Sequence, residues 1–292
     1  MIDLIVGQFE GRRSDAWQGS KASYVGWSLE GITDQALADL GEFLGLSALA
    51  SNGSHHELGV VEVSDAHRIW SSAPCFRLFV SHISAFKAEA TKLKDALSAF
   101  GITAFVAHAD IQPTKEWLEE ILRALKTMDA LAVLLVPDFH KSNWTDQEVG
   151  YALARNVPIL PLKFSQDPYG FIGRFQALNC ANISVQQTAH AIARLLIENS
   201  ASQTAMADAV GRRLAKAGTY ADARSLVELL EIPTSLPKAT LDLVATAKSE
   251  NDQVQDSWGV PDRITNLFQK HSYTELPQSM VTREVETDEI PF

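Results

Sequence analysis

The chain has 292 residues, a net charge of −11, 46% hydrophobic residues and 21% charged residues, a balance that excludes a largely disordered or collagen-like polymer. No apolar run reaches the roughly 18 residues that span a bilayer, and MIDLIVGQFEGRR at the N-terminus lacks the charge and apolar stretch of a signal peptide, so a cytoplasmic location without a membrane partner is expected. The acidic balance repels phosphate backbones and argues against direct nucleic-acid binding.

Residues 1–75 carry one short helical pattern, Leu37, Leu40, Phe43 and Leu44, with Thr33 or Asp34 as cap. SNGSHHELG reads as a loop, and no fold follows for this N-terminal segment. The next segment, residues 76–199, is more regular. FRLFV (Phe76 to Val80) reads as a buried strand. Ala90, Leu93, Leu97 and Phe100 then share a helix face, and Gly101 stands where a helix-terminating glycine is expected. ITAFVA (Ile102 to Ala107) is a second strand, followed by the polar loop HADIQPTK. Trp117, Ile121 and Leu125 share the face of a second helix. ALAVLLV (Ala130 to Val136) is apolar throughout, as in a strand covered on both faces.

A helix is predicted from Thr145 to Ala154. VPILPLKF (Val157 to Phe164) is a fourth strand, placed near an edge by Pro158 and Pro161. NISV (Asn182 to Val185) is the predicted fifth, and Ile192, Leu195 and Leu196 mark a closing helix. Alternating strands and helices define an α/β fold with a flavodoxin-like parallel five-stranded sheet. Residues 200–292 form a C-terminal α-helical region. Val210, Leu214 and Ala217 share a face, as do Leu226 with Leu230 and Leu241 with Val244. Pro261 opens a last helix bearing Ile264, Leu267 and Phe268. The tail TREVETDEIPF is acidic and expected to be mobile.

FVSHIS (Phe79 to Ser84), FVAHADIQPTKEW (Phe105 to Trp117), LLVPDFHKSNWTDQEVGYAL (Leu134 to Leu153) and DPYGFIGRFQAL (Asp167 to Leu178) together resemble a TIR (Toll/interleukin-1 receptor) domain of the bacterial type. The likeness covers residues 76 to about 198, and FVAHADIQPTKEW looks like the BB loop of that family. The resemblance implies cleavage of NAD+ between nicotinamide and ribose, with release of ADP-ribose or its cyclisation. NAD+ is then a consumed substrate and no cofactor is required. It further implies self-association, an upstream sensor and a role in anti-phage defence. The family's W-x-x-x-E pattern is Trp144 and Glu148 here, which marks Glu148 as the catalytic glutamate.

The chemistry suits that assignment. Loss of nicotinamide builds positive charge on the ribose, and the leaving group is already cationic. A carboxylate that stabilises the cation and binds the ribose hydroxyls meets the main requirement. Trp144 lies one helical turn before Glu148 and can exclude water or pack on the sugar. A tryptophan at a helix start also packs structurally, and a first-turn glutamate complements the helix dipole. Ser81 and Ser84 offer hydroxyls to a phosphate or ribose. His82, between them, reads as a structural hydrogen-bonding residue. Asp110 in the BB-like loop is a ligand contact or a turn cap. Trp117 can stack on a base, but its face is shared with Ile121 and favours core packing.

Two positions depart from the family pattern. Ile83 and Ser84 stand where some NAD+-cleaving relatives carry arginines, and Ala107 ends the second strand where an acidic residue is common. A non-catalytic TIR adaptor, acting through TIR–TIR contacts, is the alternative function. His55, His56 and Glu57 have no second cluster at ligand spacing, so no metal site is expected. Cys75 and Cys180 read as reduced thiols, with Cys180 partly buried. Phosphate-binding glycine loops, HExxH and GxSxG are absent from the sequence.

Overall fold

The computed structural model describes residues 69–70, 74–106 and 115–274, with the backbone alone at 115–117. These residues all fall in the second of two units, Val61–Phe292. The predicted helix around Leu37–Leu44, the His55–His56 loop, Asp110 and the acidic tail lie outside the described residues.

Five parallel strands stand in the order β2-β1-β3-β4-β5. They are β1 (Phe76–Ser81), β2 (Ile102–Val106), β3 (Ala130–Leu135), β4 (Ile159–Lys163) and β5 (Leu178–Asn179). The intervening helices are α1 (Lys87–Leu97), α2 (Lys115–Thr127), α3 (Thr145–Ala154) and α4 (Val185–Glu198). Side chains alternate across each strand. Leu78, Val80, Ala132 and Leu134 therefore enter one core with α1 and α4, while Phe79, Leu131, Val133 and Leu135 enter another with α2 and α3. Every residue of β3 is buried, which explains its unbroken apolar run.

The fifth strand lies earlier than the sequence pattern suggested. It is the pair Leu178–Asn179, and NISV instead leads into α4. Ser184 caps that helix: its hydroxyl accepts from the Gln187 N–H, and the Gln187 side chain accepts from the Ser184 N–H. This reciprocal box satisfies donors that a strand would have paired with a neighbour. Leu195 also departs from expectation. It is 38% exposed, while Ile192 and Leu196 are fully buried. Because β5 is so short, β4 lies beside the sheet's margin, where Pro161 is tolerated.

The C-terminal helices are α5 (Gln203–Leu214), α6 (Tyr220–Leu230), α7 (Lys238–Glu250), α8 (Asp252–Gln255) and α9 (Val260–Lys270). Val210, Leu214, Leu226, Leu230, Leu241, Val244, Ile264, Leu267 and Phe268 are all buried. They join the core formed by α1, α4 and one face of the sheet. Ala217 is buried too, although α5 ends before it. The contact is closest at Gly101, whose backbone is left-handed at φ +75°. A Cβ there would stand 2.5 Å from the carbonyl oxygen of Ala209 in α5, so only glycine fits both the turn and the approach. Gly101 immediately precedes β2, and its carbonyl accepts from the Phe76 N–H at the start of β1. α5 therefore docks at the amino ends of β1 and β2.

Within this bundle, Arg263 grips Glu231 through two hydrogen bonds of 2.8 and 2.6 Å. The Asn251 side-chain amide donates to the carbonyls of Leu214, Ala215 and Ala217 at 3.1–3.3 Å. Its oxygen accepts from the Gln253 N–H at 2.8 Å. One side chain thus closes the end of α5 and opens α8.

Candidate functional site

Ligands of open parallel sheets bind beyond the carboxyl ends of the strands. Ser81 is the last residue of β1 and Glu148 sits in the first turn of α3, a segment that follows β3. Both are almost fully buried, with 1% and 5% exposure. The Ser81 hydroxyl donates to Glu148 Oε2 at 2.5 Å. Burial pushes the Glu148 carboxyl up to about 7, against the opposing pull of the Ser81 hydrogen bond.

The start of α3 is fixed by several contacts. The Glu148 N–H donates to the Trp144 carbonyl at 2.9 Å, which places the two residues one helical turn apart. Trp144 is the half-buried N-cap residue, and its N–H donates to the Ser142 hydroxyl at 3.3 Å. The buried Thr145 hydroxyl donates to the Phe139 carbonyl at 2.8 Å.

The other predicted residues separate. Ser84 is exposed at the start of a short 3-10 turn, Ser84–Phe86. It does not join the Ser81–Glu148 pair. His82 is buried, with Nδ1 3.0 Å from the Val80 carbonyl. Trp117 lies on the backbone of α2, and Ile121 and Leu125 one and two turns later are buried. Asp110 lies outside the described residues.

Tyr169 and Asp146 are partners that sequence reasoning missed. The Tyr169 hydroxyl donates to Asp146 Oδ1 at 2.6 Å, and its ring meets Phe139 and His140 edge-on. Burial and Asp146 both hold the phenol protonated. This pair ties the loop after β4 to the first turn of α3. The only signal in the sequence was the DPYGF segment, which contains the tyrosine without its partner.

Among the described residues no group of three or more His, Cys, Asp or Glu is placed to hold a metal ion. No helix among them is long and apolar enough to cross a membrane. A hollow of about 170 Å³ lies elsewhere, between the amino end of β4, Phe175 and α4, and shares no residue with the Ser81–Glu148 pair.

Residues 78–196 match the family described as TIR domain. This segment of the chain is a TIR domain, and it contains both Ser81 and Glu148. A solved structure similar to the chain is the TIR domain of the Toll-related receptor TRR-2 from the lower metazoan Hydra magnipapillata. The two are 20% identical, the match covers 42% of this chain and 99% of that one, and the TM-score is 0.36. No curated protein matches the sequence.

Proposed function

We propose that the protein is a NAD+ nucleosidase that breaks the bond between nicotinamide and ribose and releases ADP-ribose or a cyclised product. The observation that carries this reading is the buried Glu148 carboxyl, held by Ser81 at the carboxyl end of the sheet within the TIR segment. As the C–N bond breaks, its electron pair leaves with nicotinamide and the ribose becomes an oxocarbenium-like cation. An ionised Glu148 stabilises that charge in a site of low dielectric, where a carboxylate acts more strongly than in water. Water, or a nucleophile of the same nucleotide, then captures the cation. Ser81 orients the carboxylate, and Trp144 shields the ribose from bulk water. NAD+ is the substrate, so the reaction needs no resident cofactor.

Self-association fits this reading, because α2 presents Leu118 and Leu122 one turn apart, each 38% exposed. The proposed setting is a cytoplasmic defence response of bacterial type, switched on by an upstream sensor. The test is incubation of the full chain with NAD+ at low and high protein concentration, following nicotinamide release. Turnover that rises with concentration and falls at least about a hundredfold in Glu148→Gln is expected. Turnover unchanged by that substitution overturns the assignment. No turnover at any concentration, together with stable association with another TIR domain, establishes the adaptor role instead.

A further inference from the structure

The surroundings of Glu148 also bear on which substrates the site accepts, an inference that rests on the nucleosidase reading. Its carboxyl has one partner among the described residues, the Ser81 hydroxyl, and that partner is neutral. The described charged groups of the surrounding elements are paired elsewhere or exposed. On β1, Arg77 pairs with Asp129 at 2.6 Å. On β4, Lys163 pairs with Asp167. In the turn before α3, Lys141 pairs with Asp138 at 2.7 Å, and His140 is exposed. On α2, Arg123 pairs with Glu119 at 3.7 Å, and Glu120 and Lys126 are exposed. On α3 itself, Asp146 is held by Tyr169, and Arg155 just after it donates to the carbonyls of Leu125 and Met128. His82 follows Ser81, with Nδ1 on the Val80 carbonyl.

A carboxylate buried with no cation beside it among the described residues is penalised by desolvation. The start of α3 and the Ser81 hydroxyl each favour the anion. Burial outweighs the hydrogen bond from Ser81, so before a ligand binds the acid is largely protonated below neutrality. A ligand that brings its own fixed positive charge supplies a counter-ion that the described residues do not.

We propose that the site takes up a nucleotide carrying a cationic pyridinium ring in exchange for the Glu148 proton, and so discriminates NAD+ at binding from its reduced form, whose nicotinamide ring is uncharged. The proton leaves the carboxyl for solvent and no bond of the ligand changes, so the exchange precedes chemistry. Low pH then weakens capture of the substrate by competition between the proton and the pyridinium charge.

The experiment is calorimetric titration of the full chain with carbocyclic NAD+, whose nicotinamide bond is not cleaved, in buffers of different ionisation heat. About nine-tenths of a proton released per ligand at pH 6 and about one-tenth at pH 8 is expected, with affinity about tenfold weaker at pH 6. NADH is expected to bind without proton release or pH dependence, and Glu148→Gln to lose both. Ser81→Ala removes a bond that favours the anion, so it should move the pH midpoint upward while proton release persists. Binding of the analogue without proton release, while NAD+ turnover still requires Glu148, overturns this inference and leaves the nucleosidase reading intact. Absence of both analogue binding and turnover overturns the two together.

Discussion

The two ends of the sheet are built on opposite terms. At the amino ends, Asp129 accepts from the Arg77 backbone and from its guanidinium, Arg155 caps two carbonyls, and Gly101 lets α5 approach to backbone contact. At the carboxyl ends, a titratable carboxyl is buried, and its hydrogen-bond partner among the described residues is one hydroxyl. The first arrangement favours the folded chain. The second costs stability and keeps a reactive group ready. Tolerance of that cost at one end is reasonable where the other end is so fully satisfied.

Substitutions can test the contrast. The largest effect is expected for Gly101→Ala, which adds a Cβ 2.5 Å from the Ala209 carbonyl at a left-handed position. A loss of at least about 3 kcal/mol in denaturant unfolding is expected. Glu148→Gln should act in the opposite direction. The native carboxyl keeps its proton up to about 7, whereas the ordinary value is 4.5. Between those values the native state binds more protons than the unfolded chain, so stability falls as pH rises and stays lower above 7. The substituted amide cannot ionise, so the variant should gain on the order of 3 kcal/mol at pH 8 and little at pH 4. Thermal unfolding across pH measures this.

Smaller changes sharpen the boundary between the ends. Arg77 and Asp129 are partly exposed, at 34% and 22%, so Asp129→Ala should cost about 1–2 kcal/mol after solvent screening. It should leave the pH dependence attributed to Glu148 unmoved. Tyr169→Phe removes one hydrogen bond, to Asp146. About 1 kcal/mol of stability is expected to be lost, and hydrogen exchange at the start of α3 should quicken more than exchange in α5.

The architecture was legible where burial is continuous along the chain. Four apolar runs became β1 to β4, and the periodic faces of α5, α6, α7 and α9 became core. The fifth strand was not legible, because two residues carry no periodicity. The S-x-x-Q spacing of Ser184 and Gln187 did mark the start of α4 and argues against a strand through NISV. At the site, the one-turn spacing of Trp144 and Glu148 is visible in the chain. The meeting of Ser81 with Glu148 joins residues 67 positions apart, and that of Tyr169 with Asp146 joins residues 23 apart. Such pairs depend on how strands and loops assemble, which a local pattern does not encode.

Asn251 carries a consequence for chemical ageing. Its amide nitrogen faces three carbonyl oxygens, and a carboxylate cannot donate a hydrogen bond to any of them. Hydrolytic loss of that nitrogen would set a negative charge against three acceptors, turning the fastening between α5 and α8 into a point of repulsion and giving stored protein a mass increase of about one dalton that coincides with loosening of the bundle.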